Sequence, residues 1–260
     1  LQNCDSGYCP TEYQRSLFPA EYAHKLRRVF DGVDRAIYHG FNETLRPPVT
    51  ERGSREVAGV RLPASTRVVT YVSRGFESMR GFDIFMKSAR LIAERFPEVM
   101  FFVVGTDRIA YGGDEKHTAP HKSFKEWVLS QGDYDMSRFT FTGRLSVPDL
   151  ARLLATSDLH IYLTVPFVLS WSMMDAMSCG AVVLASDTAP VREMIQHGKN
   201  GLLADFFNPE DFARQAVKVL QHPEAYRPLG RAAEQTIIDH YSLEAVLPRM
   251  LEMYASPSRA

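Results

Sequence analysis

A doubly wound α/β domain, with a parallel sheet of about six strands and helices on both faces, is the fold class that the sequence predicts. Three observations carry the prediction. Short apolar runs recur from Val68 onward, most of them are apolar at consecutive rather than alternate positions, and amphipathic stretches lie between them. Continuous apolar runs suit strands buried on both faces of a parallel sheet, and the stretches between them supply the helical crossovers.

In chain order, VVTYVS (68–73) leads to a helical pattern over 81–96, and VMFFVVG (99–105) to one over 124–131. RFTFTG (138–143) precedes a pattern over 148–156, and DLHIYL (158–163) one over 169–179. AVVLAS (181–186) and GLLAD (201–205) precede patterns over 190–197 and 209–221. Pro148, Pro190 and Pro209 each stand in a first helical turn, where the N–H that proline lacks would have no partner. Beyond Gln221 the pattern stays helical to about Tyr254. At the other end, residues 1–30 read as a loop and then a helix, opened by Pro10, Thr11 and Glu12 and closed by FPAEYAHKLRRVF. Residues 40–67 hold Pro47, Pro48 and Pro63 with Gly53 and Gly59 among charges, which reads as a connector. The expected domain division is 1–34, 35–67, 68–222 and 223–260.

Composition narrows the function classes. The 260 residues carry 30 Lys+Arg against 31 Asp+Glu, and 45% are hydrophobic. That balance excludes a disordered tail and gives no basic surplus with which to neutralise nucleic-acid phosphates. The most apolar stretch, LHIYLTVPFVLSW (159–171), is short of the roughly 20 residues that span a bilayer and contains His160 and Pro166. LQNCDSGYCP (1–10) has neither the basic nor the apolar region of a secretory leader. Leu1 is not an initiator Met, so the start is expected to be a boundary set by processing or cloning. Cys4, Cys9 and Cys179 cannot pair completely, and their sparsity fits a reducing, cytoplasmic setting.

In an open parallel sheet, ligands bind beyond the carboxyl ends of the strands. After the first run comes Ser73-Arg74-Gly75-Phe76-Glu77-Ser78-Met79-Arg80-Gly81, two arginines six residues apart, each next to a glycine. Guanidinium forks bind phosphate bidentately and glycine permits close backbone approach. Spacing alone weighs this evenly against two surface arginines. After the fourth run, 164–172 enters a helix containing Met173, Met174, Asp175, Met177 and Cys179. Free amides at a helix start suit an anion, and Asp175 is an acid in apolar company. A solvated polar face is the alternative for Asp175, and the methionines read as core. Gly143-Arg144-Leu145 after the third run could present backbone to a base edge. Asp187-Thr188-Ala189-Pro190 followed by Glu193 reads as a strand-to-helix turn in which Glu193 satisfies first-turn amides. His117 and His121 are four apart, but Pro120 argues against a helix and hence a metal pair. No GxGxxG, GxxxxGK[ST] or GxSxG occurs.

Taken in order, Arg74 and Arg80-Gly81, VVG (103–105), FTGRL (141–145), MMDAMSCGAVVLASD (173–187), NGLLAD (200–205) and Asn208-Pro209-Glu210 resemble the donor-binding half of group 1 (family four) glycosyltransferases. DGVD (31–34) is similar to that family's interdomain hinge, and PTEYQRSLFPAEY (10–22) to the last helix of its N-terminal domain. The resemblance implies the Rossmann-like C-terminal half of a GT-B fold. It implies a retaining, metal-independent hexosyl transfer from a UDP- or GDP-sugar, with no further cofactor, to a glycan, lipid or small-molecule acceptor. The acceptor site, and any peripheral membrane contact, would belong to the N-terminal domain, without which the chain is expected to be inactive.

Position by position, the resemblance puts Arg74 on the arginine of the family's diphosphate grip and Arg80 where lysine is usual. It puts Asp175 on the second acid of the Glu-x7-Glu signature, which holds the ribose. The first acid, which touches the transferred sugar, is Phe167 here, and this departure leaves the donor sugar open. Val168, Leu169 and Ser170 fall on a turn that gives amides to the distal phosphate. Gly75, Gly105, Arg144 and Leu145 complete the implied donor site. Another GT-B enzyme, such as a nucleotide-sugar epimerase or a phosphorylase-like enzyme, and a non-catalytic nucleotide-sugar-binding protein are the alternatives.

Overall fold

The computed structural model describes residues 1–40 and 47–255. Residues 41–46 of the expected connector and 256–260 of the expected C-terminal helices lie outside the described residues.

Near the N-terminus, β1 (Gly7–Cys9) pairs in parallel with β2 (Leu26–Arg28), and between them lie α1 (Glu12–Ser16) and a single 3-10 segment (Ala20–Lys25). The expectation of a continuous helix closing at residue 30 is therefore corrected. Thr11 caps α1 by accepting from the Gln14 N–H. Pro19 then removes a backbone donor and disfavours helix at Phe18, so the helix stops after five residues. The buried Lys25 Nζ donates to the carbonyls of Gln2 and Cys4, pinning the first residues to β2. The connector also holds structure that composition hid. β3 (Arg55–Val57) and β4 (Val60–Leu62) form an antiparallel hairpin turning at Ala58 and Gly59. Its buried Val57 and Leu62 pack on Val68, Phe102, Val104 and Leu153.

Six parallel strands form the main sheet: β5 (Arg67–Gly75), β6 (Val99–Thr106), β7 (Phe139–Gly143), β8 (Leu159–Tyr162), β9 (Val183–Ser186) and β10 (Leu202–Ala204). Their order is β10-β9-β8-β5-β6-β7. All six expected runs are strands. The helices are α2 (Phe82–Arg95), α3 (Glu115–Thr118), α4 (Phe124–Ser130), α5 (Val147–Thr156), α6 (Trp171–Ser178), α7 (Ala189–Arg192), α8 (Pro209–Gln221), α9 (Pro223–His240) and α10 (Leu243–Ala255). The three prolines at 148, 190 and 209 sit in first turns as expected. The pattern over 190–197 yields only the short α7. The Asn200 side chain takes the Gln196 N–H at 2.7 Å and donates to the Met194 carbonyl at 3.0 Å, so groups that would continue the helix are used elsewhere. The short α3 ends at Thr118, ahead of Pro120, so His117 and His121 do not share a helix.

Successive strand residues point to opposite faces. On one face Val69, Tyr71, Phe101, Val103 and Ile161 meet Phe82 and Phe85 of α2, Phe124 of α4 and Phe212 of α8. On the other, Tyr162, Val183 and Ala185 meet Leu154 of α5, Met173, Met174 and Met177 of α6, and Ala233 and Ile237 of α9. The methionines are core. Each such fully buried large side chain contributes roughly 1.5–3 kcal/mol. The DGVD stretch and the residue after it are tied to the C-terminal helices: Val33 donates to the Tyr241 carbonyl and accepts from the Leu243 N–H, and Arg35 pairs with Glu234 at 3.0 Å. Among the described residues no helix is long and apolar enough to cross a membrane.

At the amino ends of the strands, Arg52 and Asp158 form a buried ion pair at 2.6 Å, and the other Asp158 oxygen accepts the Val68 N–H at 2.8 Å. Removing one member of such a pair strands the other charge in a low dielectric. Asp158→Ala is expected to cost about 3–5 kcal/mol, read as a lowered urea midpoint with unchanged slope; a loss under about 1 kcal/mol would show that the pair is not load-sharing.

Candidate functional site

Strand order reverses direction between β5 and β8: the chain leaves β5 toward α2 on one face and leaves β8 toward α6 on the other. The loops after these neighbouring strands diverge and leave a crevice at the sheet's carboxyl edge, where an open α/β fold takes its ligands. A cleft of about 310 Å³ lies there, lined by Arg74, Arg80, Tyr111, Val168, Leu169, Ser170 and Trp171.

Arg80 bridges the two loops. Its Nη1 donates to Thr164 Oγ1 at 2.9 Å and to the Val168 carbonyl at 3.0 Å. Its own carbonyl accepts from the buried Tyr71 hydroxyl at 2.8 Å, and Met79 accepts the Val165 N–H at 3.1 Å. The guanidinium also lies over the rings of Tyr111 and Phe167, 5.3 and 5.5 Å from their centroids. Arg74, exposed, lies 5.8 Å from the Tyr111 centroid. Among the described residues neither guanidinium has an acidic partner. Arg80 is 6% exposed, and burying a cation without a counter-charge is costly. Carbonyl, hydroxyl and π faces soften that cost here and leave a net positive cleft.

Across the cleft stands the start of α6. Ser170 is its cap, accepting from the Ser172 N–H at 3.4 Å while giving its own N–H to the Tyr162 hydroxyl at 2.8 Å. Ser172 Oγ donates to the Val72 carbonyl at 3.2 Å, holding the helix start against the end of β5. The positive end of the helix dipole therefore faces the same space as the two guanidiniums. Trp171, 60% exposed, is the one residue of α6 outside the core.

The other sequence-derived candidates fall around this centre. Gly75 and Gly105 do not line the cleft. A Cβ at Gly75 would strike the Arg108 carbonyl, and one at Gly105 (φ 146°) would strike that of Ser73, so both glycines let the loops after β5 and β6 interlock. Phe167 contacts the cleft through its edge against Tyr111, with centroids 5.4 Å apart. Leu145 lines a separate cavity of about 440 Å³ between the β3–β4 turn and α5, and Arg144 beside it is exposed. Asp175 lies one turn into α6, 9% exposed, and also does not line the cleft. Burial pushes its carboxyl up to about 7. Its charge is felt at Tyr38, whose phenol is pushed up by burial first and by Asp175 second. Glu193 serves α1 instead of its own turn: its carboxylate accepts the N–H groups of Glu12 and Tyr13, both at 2.7 Å.

Sequence reasoning missed Glu77, Thr164 and Tyr111. Glu77 stands between the two arginines in the chain, which was an available signal. Tyr111 lies in a loop with no periodic pattern, and nothing local marks it. Among the described residues no group of acids, histidines or cysteines is arranged to hold a metal ion.

A doubly wound sheet with a cationic cleft at its switch point defines a class of anion-binding α/β domains. The family model "Glycosyl transferases group 1" matches residues 66–222, and the model "Glycosyl transferase family 4 group" matches 1–37. The chain belongs to the group 1 glycosyltransferase family. It is 24% identical over 249 residues to spore coat protein SA of Bacillus subtilis, covering 92% of this chain and 60% of the relative. It is 24% identical over 231 residues to mannosylfructose-phosphate synthase of Agrobacterium fabrum, covering 88% and 48%. The fold matches that of Anabaena Alr3699/HepE, solved with UDP and glucose, at a TM-score of 0.74 and 17% identity over 97% of this chain and 63% of that one. The chain thus spans about half to three-fifths of the length of these two relatives.

Asp175 makes stability depend on pH. Its carboxyl titrates near 3.9 when unfolded and at about 7 when folded. The unfolded chain loses that proton first, so the contribution is full below about pH 4 and fades as pH rises to 7, by at most about 4 kcal/mol. Urea unfolding at intervals from pH 4 to 8 should show wild type losing more stability than Asp175→Asn; parallel curves would mean that the carboxyl is not buried as described.

Proposed function

We propose that this chain is the donor-binding part of a glycosyltransferase that moves a sugar from a nucleoside-diphosphate sugar to an acceptor. The observation that carries the reading is the pair of unneutralised guanidiniums, Arg74 and Arg80, sharing Tyr111 opposite the start of α6. Two fixed cations and a helix dipole suit a diphosphate, whose charge grows when the bond from its outer oxygen to the sugar breaks and the electron pair stays on that oxygen. Groups already oriented toward that charge lower the barrier without reorganising. The Anabaena neighbour's complex with UDP supports a uridine nucleotide as the first ligand to try.

In this reading the amides of Val168 and Leu169 meet the outer phosphate, the Ser170 N–H being held by the Tyr162 hydroxyl; Asp175 would accept from a ribose lying beyond the arginine-lined cleft, and Gly143-Arg144-Leu145 would face the base. Gly75 and Gly105 act by letting the phosphate loop form. Independence from metal belongs to the same proposal, because Arg74, Arg80 and the helix start would meet the departing charge; retention at the sugar carbon is proposed from the family resemblance. The acceptor, a glycan, lipid or small molecule, would be bound by residues beyond those that match here, as would any membrane surface. The three free cysteines agree with a reducing, cytoplasmic setting.

One observation favours a second reading, a nucleotide-sugar-binding protein without transfer. Phe167, where the resemblance expects an acid, offers no acceptor to sugar hydroxyls and instead covers Arg80. Transfer assays on a protein that also carries an acceptor domain would decide between them: activity gained only with Phe167→Glu would favour the second reading.

Calorimetric titration with UDP, GDP and ADP tests the donor-binding claim. At least one diphosphate should bind, and Arg74→Ala should weaken it by about tenfold or more, the value of a charge-assisted hydrogen bond. No heat from any of the three would overturn the claim, and unchanged affinity in Arg74→Ala would return that arginine to the surface.

A further inference from the structure

Glu77 is wholly buried, yet no basic group pairs with it among the described residues. Its Oε2 accepts three consecutive backbone N–H groups, from Ala110 at 3.0 Å, Tyr111 at 2.8 Å and Gly112 at 3.1 Å, while its Oε1 has no partner. Next in the chain, Ser78 gives its N–H and its hydroxyl to the two oxygens of Asp114, at 2.9 and 2.6 Å. Two adjacent residues of the arginine loop thus grip both ends of the segment 110–114. Below them, the Arg108 carbonyl fills the space that a side chain at Gly75 would need. A buried carboxylate is expensive, and ordinary loop closure does not require one.

The residue at the centre of the grip is Tyr111. Its N–H makes the shortest of the three bonds to Glu77, and its ring is the surface that both Arg74 and Arg80 lie over. Two guanidiniums facing one cleft repel each other, and a shared π face holds both near it at a fixed separation. We infer that Glu77 is a positioning residue for the outer phosphate of the donor, acting through Tyr111 to set the spacing of Arg74 and Arg80. This rests on the donor-binding reading above and assigns within it a role to a residue that touches no ligand.

A nucleoside monophosphate lacks the outer phosphate on which the two arginines are proposed to converge, so the ratio of UDP to UMP affinity reports their spacing. The 260-residue chain and its variants would be titrated with both nucleotides, with thermal melts to establish folding. Glu77→Ala and Tyr111→Ala should each weaken UDP about tenfold and UMP by less than about twofold, the loss of two cation–π contacts. Tyr111→Phe keeps the ring and Glu77→Gln keeps one acceptor for the three amides; both should restore most of the ratio. The double variant Glu77→Ala/Tyr111→Ala should be no weaker for UDP than either single, because the two act in series. Additive losses, or an unchanged ratio in folded Glu77→Ala, would overturn the inference. If Glu77→Ala does not fold, Tyr111→Ala decides, and an unchanged ratio there overturns it. Absence of UDP binding in wild type would instead sink the donor-binding reading, and this inference with it.

Discussion

Arg80 ties together the ends of β5 and β8, two neighbouring strands whose chains then leave toward opposite faces of the sheet. Without a link, loops that diverge in this way have no reason to hold a common geometry. The guanidinium provides one by bonding to Thr164 and the Val168 carbonyl from its place at the end of the β5 loop. A lysine there would make point contacts, whereas the planar fork reaches two acceptors and still offers a face to two rings. Among the described residues no acid pairs with Arg80, so the cation's field is left to act on the cleft.

The same economy runs through the surrounding loops. Gly75 and Gly105 lie where two backbones pass too closely for a side chain, and the interlock brings the segment after β6 over the arginine loop. Glu77 and Ser78 then fix that segment by its amides and by Asp114. Phe167 closes the aromatic side of the cleft against Tyr111. An acid at 167 would place a carboxylate beside Arg80 and divide its charge between a sugar and a fixed partner. Phenylalanine adds no counter-charge to Arg80; in the proposed reading it would leave that charge to the diphosphate and give the sugar an apolar neighbour.

Much of the fold could be read in the residues. Strands buried on both faces need continuous apolar runs, and all six runs from VVTYVS to GLLAD are strands in the sheet. Proline in a first turn marked three helix starts. The failures have physical causes. A three-residue strand such as Gly7–Cys9 or Arg55–Val57 is too short to carry a period, and both depend on partners distant or hidden among prolines and charges. Pro19 ended a helix that the surrounding polar and aromatic residues would otherwise favour. Arg74, Arg80, Val168, Leu169 and Ser170 line one cleft, and they are legible because open α/β sheets form such clefts at strand ends and helix starts. Tyr111 was not, since its position follows from three backbone bonds to a side chain more than 30 residues earlier. Asp175 stands out in the sequence for its apolar company, and burial in that company is what raises its pKa. Its carboxyl nevertheless lies outside the cleft that the arginines line.

A crystal structure of this chain with UDP bears most directly on the account. The two phosphates should lie between Arg74, Arg80 and the amides at the start of α6, with the outer phosphate within hydrogen-bond distance of both guanidiniums. UDP found with its phosphates away from both arginines, for instance in the cavity lined by Leu145 and Arg152, would contradict it.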